Sequence, residues 1–308
     1  MTLRIVFMGS PAFAVPTLRV CHELARIVAV VTQPDKPAGR GQKLHEPAVK
    51  LAAHELGLTV WQPRSVRTAD FTDKLRALDA DLAVVVAYGK ILPRAILDAC
   101  TRGCVNVHAS LLPKYRGAAP IQWAIINGET QTGCTIMQLD EGMDTGPMLR
   151  KSTLAIGGEE TAGELGARLA TLGATLLGEV LRAADSAPLA TEAQDPAQAS
   201  LAPLLCKDDG RVDWTRAAPR VGALIRGVDP WPGATTQLGQ DTLKMWGARV
   251  VAGRGVPGRV LGFDGEGLCV ACADGAVVVS ELQLPGKKRM PARALAAGHA
   301  LNVGTQLG

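Results

Sequence analysis

Leu3-Arg4-Ile5-Val6-Phe7-Met8-Gly9-Ser10-Pro11 is the stretch from which the fold follows. Its apolar residues run together instead of alternating, and a Gly-Ser-Pro turn ends them. A helical stretch then continues through Leu24. Three more runs share this texture, at 27–31, 81–87 and 104–107, and a helix-like stretch at 93–99 follows the run at 81–87. Strands that are apolar on both faces belong to sheets covered on both sides, and helices between them make the sheet parallel. The expectation is an α/β class fold with a Rossmann-like, largely parallel sheet. Ligands of such sheets sit beyond the carboxyl ends of the strands, where Gly9, Tyr88, Asn106 and His108 fall. Gly9 is a lone glycine rather than part of G-x-G-x-x-G, so no dinucleotide cofactor is expected.

Residues 161–184 carry Leu165, Leu169, Leu172, Leu176 and Val180 on one helical face. Glycines at 163, 166, 173 and 178 either weaken that helix or let it pack closely. An Ala-, Pro-, Gln- and Asp-rich stretch follows. Beyond it, short apolar runs at 242–246, 258–263, 268–272 and 276–282 alternate with Gly, Asp and Pro turns. That rhythm predicts a small C-terminal antiparallel β-barrel of OB-like type. The expected organisation is a catalytic domain over 1–185, a linker over 186–206 and the barrel over 207–308.

The whole chain carries a net charge of +4. Residues 207–308 hold 13 Lys and Arg against 9 Asp and Glu, which accounts for all of it. A charge excess confined to one domain fits a polyanionic partner. Seven irregularly spaced cysteines make no disulfide framework in a chain of 308 residues. Cys269 and Cys272 form a single C-x-x-C inside a strand-like run, which alternation splits between two faces. No metal site is expected from them, nor from the five histidines. No signal peptide pattern and no apolar run of membrane-spanning length is present. The expectation is a soluble, cytoplasmic, monomeric protein in a reducing compartment.

Asn106-Val107-His108-Ala109-Ser110-Leu111-Leu112-Pro113 and Asp140-Glu141-Gly142-Met143-Asp144-Thr145-Gly146 gather an amide, an imidazole and a carboxylate. These groups supply an oxyanion donor, a polarising or proton-carrying group and an orienting base. No nucleophile sits among them. Direct transfer of an acyl-type group onto an amine is therefore favoured over a covalent enzyme intermediate.

Asn106-x-His108-x-Ser110-Leu111-Leu112-Pro113 with Asp144 resembles the signature of formyltransferases that use 10-formyltetrahydrofolate. Three further groups of residues narrow the resemblance to the methionyl-tRNA formyltransferase family. One is the continuation Lys114-Tyr115-Arg116-Gly117-Ala118-Ala119-Pro120. Another is the insertion Thr32-Gln33-Pro34-Asp35-Lys36-Pro37-Ala38-Gly39-Arg40-Gly41. The third is Arg211-Val212-Asp213-Trp214, Pro230-Trp231-Pro232-Gly233 and Pro285-Gly286-Lys287-Lys288. The resemblance implies formyl transfer from the folate to the α-amine of methionyl initiator tRNA, with Asn106, His108 and Asp144 as the catalytic groups. It places Ser110, Leu111, Leu112, Pro113, Val86, Ala87, Tyr88, Gly89 and Asp140 at the folate. It places Lys36, Arg40, Lys43, Lys207, Arg211, Lys287 and Lys288 along the tRNA. Ala109 departs from the family's usual glycine, which requires a backbone there outside the left-handed region.

Two other readings compete. A formyltransferase or formyl hydrolase for a small metabolite would use the same trio but leave the basic segments without a purpose. A non-catalytic RNA-binding protein would leave the trio itself without one. The loop 33–47, with its basic residues, prolines and glycines, is expected to be exposed and mobile. Trp214, Trp231 and Trp246 are expected in the core or at a domain interface.

Overall fold

A computed structural model describes residues 2–38, 43–184, 190–265, 267–296 and 301–308. The chain begins with β1 (Arg4–Gly9), α1 (Val15–Leu24), β2 (Arg26–Val31), β3 (Lys36–Ala38), β4 (Lys43–His45) and α2 (Ala48–Glu55). It continues through β5 (Val60–Trp61), α3 (Ala69–Arg76), β6 (Leu82–Val86), α4 (Arg94–Leu97) and β7 (Cys104–His108). Then come β8 (Arg116–Gly117), α5 (Pro120–Ile126), β9 (Gln131–Gln138), β10 (Met148–Ala155), α6 (Ala162–Ala184) and β11 (Leu201–Ala202). The last elements are α7 (Ala218–Gly227), β12 (Ala234–Leu238), β13 (Asp241–Val251), β14 (Val260–Asp264), β15 (Gly267–Ala271), β16 (Ala276–Gln283), β17 (Met290–Pro291) and α8 (Ala292–Ala296).

Two compact units emerge. The first takes Met1–Ala118, Thr132–Leu154 and Gly166–Ala202. The second takes Ala119–Gln131, Ala155–Leu165 and Pro203–Gly308.

The first unit is built on a seven-stranded sheet of order β10-β9-β7-β6-β1-β2-β5. Strands β7, β6, β1, β2 and β5 are parallel, and β9 runs antiparallel to β7. Every residue of β6 is buried, as its unbroken apolar run requires of a strand covered on both faces. The chain moves from β1 outward to β2 and β5, then returns to the other side of β1 as β6. That reversal puts the topological switch point at the carboxyl ends of β1 and β6. Gly9 ends β1 there, and an added Cβ would meet the Val86 carbonyl oxygen at 2.9 Å. Its role is close backbone approach rather than phosphate binding.

Helix α6 begins with a reciprocal cap: the Thr161 amide donates to Glu164 Oε2 at 2.9 Å, and the Glu164 amide donates to Thr161 Oγ1 at 3.3 Å. The helix glycines serve packing. A Cβ on Gly173 would lie 2.6 Å from Val107 Cγ1, so the helix seats directly against β7.

The second unit carries an antiparallel sheet of order β12-β13-β16-β15-β14, with β17 paired to β16. Val212, Val221, Ile225, Leu243, Val260, Val270, Val277 and Leu282 belong to its core. Cys272 lies in that core and Cys269 is half-buried, and both are free thiols. Trp214 and Trp246 are buried as expected, but Trp231 is 51% exposed. The inner side of its loop is taken by Pro232 and Gly210: a Cβ on Gly210 would meet the Gly233 carbonyl oxygen at 2.3 Å. Trp231 is thus left outside.

No helix among the described residues is long and apolar enough to cross a membrane.

Candidate active site

Strand alternation sets the site. Val107 turns toward α6, so Asn106 and His108 share the opposite face of β7 at its carboxyl end. Their backbones are fixed by pairing with Val85 of β6 and with Met137 and Thr135 of β9. Asn106 is half-buried, and among the described residues its carboxamide has no hydrogen-bond partner. His108 is 5% exposed.

The imidazole is held from both sides. Nε2 lies 2.9 Å from the Tyr115 carbonyl oxygen, which can only accept, so Nε2 carries hydrogen and donates. Nδ1 faces Asp144 Oδ2 at 3.6 Å. That carboxylate oxygen accepts the Gly117 amide at 2.8 Å. Asp144 thus stands beside the ring without a short hydrogen bond to it, and the Tyr115 carbonyl fixes which ring nitrogen bears the hydrogen.

Left-handed backbone gathers here. Ala87, Tyr115 and Asp144 have φ of 47°, 62° and 53°. Each is a non-glycine residue in a sparsely populated region, and such residues collect at functional sites. Ala109 is not among them, so its methyl group is tolerated.

The segment after β7 is closed by its own hydrogen bonds. Ser110 Oγ donates to the Lys114 carbonyl at 2.6 Å. Thr135 Oγ1 donates to the Ser110 carbonyl at 2.7 Å and accepts the Leu112 amide at 3.1 Å. Leu112 is 2% exposed in a small cluster with Met137 and Met148. Leu111 is half-buried against Gly133, and Pro113 is also half-buried. Asp140 accepts from the Gly142 amide at 3.0 Å and from Thr145 Oγ1 at 2.7 Å, which shapes the turn leading into Asp144.

Val86, the last residue of β6, is buried, while Ala87 and Gly89 beyond it are exposed. Tyr88 is 2% exposed, and its side chain belongs to the core. Burial pushes its phenol up to about 12, and among the described residues Oη has no hydrogen-bond partner. The Tyr88 carbonyl accepts from Gln33 Nε2 at 2.9 Å. What this segment offers a ligand is backbone at Ala87 and Gly89.

Within the basic segment expected to be an exposed, mobile loop, β3 pairs antiparallel with β4, and Lys36 faces His45 in register. Its backbone groups find partners across the pair, and its base is pinned. Lys50 Nζ reaches Asp35 at 2.6 Å and Glu46 at 2.7 Å, and Gln62 Nε2 donates to Asp35 Oδ1 at 2.7 Å. Hydrogen bonds from Gln62 and Lys50 hold the Asp35 carboxyl below its ordinary range. Those to Asp35 and Glu46 push Lys50 up. Lys36 is exposed, Lys43 lies on β4, and Arg40 falls outside the described residues.

In the second unit, Lys207, Arg211, Lys287 and Lys288 are all exposed. Lys207 and Arg211 flank a single 3-10 turn, while the other two lie between β16 and β17.

Sequence reasoning gave no site role to Tyr115, Gly117, Thr135 or Gln194, although the first two lie in the quoted continuation after Pro113. Their roles run through backbone groups or through partners distant in sequence, and neither leaves a local pattern.

The α/β sheet thus presents an amide, an imidazole and an acid near its carboxyl edge, a set able to polarise a carbonyl and carry a proton. The family description Formyl transferase matches residues 3–181, and Formyl transferase, C-terminal domain, matches 205–300. The chain is 50% identical over 307 residues to the methionyl-tRNA formyltransferase of Geobacter sulfurreducens, covering 99% of this chain and 97% of that one. It is 48% identical over 303 residues to that of Myxococcus xanthus, covering 98% and 97%. This chain belongs to the methionyl-tRNA formyltransferase family.

Solved structures share the fold. An N-formyltransferase from Helicobacter canadensis, in complex with folinic acid and dTDP-3-aminofucose, superposes with a TM-score of 0.68 at 15% identity, covering 94% of this chain and 100% of that one. HypX from Aquifex aeolicus, in complex with tetrahydrofolic acid, gives 0.66 at 18% identity, covering 97% and 47%.

Proposed function

We propose that this enzyme transfers the formyl group of 10-formyltetrahydrofolate to the α-amine of methionine esterified to initiator tRNA. The observation that carries the reading is the shared face of Asn106 and His108, with Asp144 beside Nδ1 of the ring. The methionine amine attacks the formyl carbon and a new C–N bond forms. Charge collects on the formyl oxygen, and the bond to N10 of the folate then breaks with its electron pair going to nitrogen. The Asn106 carboxamide, unengaged among the described residues, donates to the developing oxyanion, and one such donor is typically worth ~2.7–4 kcal/mol. With Nε2 committed to Tyr115, Nδ1 is the ring nitrogen left to face substrate. Asp144 Oδ2 lies beside it to accept the proton released by the amine through a water, and N10 takes up a proton as it leaves.

Folate binding falls to Val86, Ala87, Tyr88 and Gly89, largely through backbone groups, with Ser110, Leu111, Leu112, Pro113 and Asp140 framing the other side. Half-buried Leu111 and the exposed backbone at Ala87 and Gly89 suit an apolar ring with polar edges. Lys36, Arg40, Lys43, Lys207, Arg211, Lys287 and Lys288 neutralise tRNA phosphates. Catalysis resides in 1–185, joined through 186–206 to a tRNA-binding domain over 207–308. The enzyme acts as a cytoplasmic monomer without a metal ion.

The test is formyl transfer from 10-formyltetrahydrofolate to methionyl initiator tRNA, with free methionine, small amines and uncharged tRNA as controls. Transfer confined to the charged tRNA supports the reading. Equal or greater transfer to small amines replaces it with a metabolite formyltransferase.

A further inference from the structure

Residues 190–200 of the first unit are mostly exposed chain, joined to β10 by an antiparallel bridge between Glu192 and Met148, and Gln194 is half-buried between exposed neighbours. Its carboxamide is fully engaged. Nε2 donates to the carbonyl oxygens of Asp144 and Gly146, each at 2.8 Å. Oε1 accepts from Arg116 Nε at 3.0 Å and Nη2 at 2.8 Å. Carbonyls require the NH2 side and a guanidinium requires the oxygen side, so only one orientation of the amide serves all four contacts.

These contacts close a ring. Arg116 is followed by Gly117, whose amide donates to Asp144 Oδ2 at 2.8 Å, and the Asp144 carbonyl returns to Gln194. Tyr115, which precedes Arg116, gives its carbonyl to His108 Nε2. Ser200 braces the same stretch: Oγ accepts the Tyr115 amide at 2.9 Å, and its carbonyl accepts the Arg116 amide at 2.8 Å. The two segments that bracket the imidazole each contain a left-handed non-glycine residue, Tyr115 and Asp144. Such conformations persist only where surrounding contacts over-determine them. Gln194 hydrogen-bonds to both segments, to one through Arg116 and to the other through the Asp144 and Gly146 carbonyls.

We infer that Gln194 is a positioning residue for formyl transfer, acting through Asp144 and Arg116 to hold the carboxylate and the Tyr115 carbonyl on opposite nitrogens of His108. The inference rests on the proposed function and touches no substrate atom itself. It also gives the segment that follows the catalytic unit's last helix a chemical task.

The experiment is steady-state kinetics on the full chain with both authentic substrates. Gln194→Leu keeps bulk and removes every hydrogen bond. Gln194→Glu keeps the acceptor for Arg116 and removes the donors to Asp144 and Gly146. Both are expected to lower kcat by about 10- to 100-fold while each KM stays within about threefold, because the lost effect is on the reacting geometry. A cycle with Asp144→Asn supplies the readout that a merely structural role does not move. Acting through Asp144, Gln194→Leu costs no more than about threefold in the Asp144→Asn background. Equal losses in both backgrounds, or a kcat like that of wild type, overturn the inference. Should Gln194→Leu not fold, Arg116→Ala in the same cycle tests the same ring. Wild-type enzyme that fails to formylate methionyl-tRNA sinks the functional reading, whereas active wild type with insensitive Gln194 variants sinks this inference alone.

Discussion

His108 Nε2 donates to the Tyr115 carbonyl oxygen at 2.9 Å, and this contact decides the chemistry left to the ring. It places the open nitrogen, Nδ1, on the side of Asp144. The carboxylate is held by the Gly117 amide at 2.8 Å, so orientation and charge come from different residues.

Asp144 therefore tests charge apart from shape. Asparagine tolerates the left-handed backbone and still accepts from Gly117, but it has no negative charge. Asp144→Asn is expected to lose about 10²-fold or more in kcat, a loss of the size seen for single catalytic groups, with little change in thermal midpoint. Asp144→Ala adds a loss of about 1–2 kcal/mol in stability from the strained φ. His108→Ala and Asn106→Ala are each expected to lose kcat to a similar extent. A wild-type rate in any of the three positions removes that residue from the mechanism.

Gly117→Ala links fold to site. The position has φ 122°, and an added Cβ would lie 2.7 Å from the Ala202 carbonyl oxygen. The β8–β11 pairing must yield, displacing the amide that holds Asp144. We expect a stability loss of about 1–3 kcal/mol in denaturant unfolding, together with reduced kcat. Destabilisation with full activity would mean that the Gly117 amide is not needed to place the carboxylate.

Tyr88→Phe should stabilise. The phenolic oxygen is buried without a partner, and an unsatisfied buried polar group costs about 1–3 kcal/mol. Removing it is expected to raise stability by roughly 1 kcal/mol with unchanged KM for the folate, since only backbone is offered to a ligand at this position. A rise in KM would show that the hydroxyl serves binding.

Asp35 and Lys50 set a pH window for the base of the β3–β4 pair. Asp35 is held below its ordinary value, so its contribution is present above about pH 4 and is lost as pH falls through the lowered pKa. Lys50 is pushed up, so its contribution is present below about pH 10 and is lost as pH rises through the raised pKa. Amide exchange at Lys36, taken relative to its intrinsic rate at each pH, should therefore quicken at both extremes. Asp35→Asn should quicken it at neutral pH, and an exchange rate that the substitution leaves unchanged would count against the pin.

Lys287→Ala combined with Lys288→Ala should weaken tRNA binding without altering KM for the folate. Each lost phosphate contact lowers the slope of log affinity against log salt by roughly 0.7–0.9. An unchanged slope would place these lysines off the RNA.

The sequence alone determined the buried parallel strands, because a strand covered on both faces must be apolar throughout and β6 is. It also determined the helix read over 161–184 and the change to short apolar runs from 242 onward, since helical and strand periods differ, whereas β12 at Ala234–Leu238 came only from the structure. That Asn106 and His108 share one face came from the structure, because β7 extends through His108, one residue beyond the run read in the sequence. Tertiary structure decided the rest of the site. The tautomer of His108 depends on the Tyr115 carbonyl, a backbone group that every residue carries. Gln194 lies 50 residues from Asp144 and 78 from Arg116, so only folding shows that one amide serves both. Asp140 and Asp144 look alike in sequence, but one shapes its own turn and the other faces an imidazole. Local pattern records which face a residue takes, whereas partner choice is written in three-dimensional proximity, which periodicity does not encode.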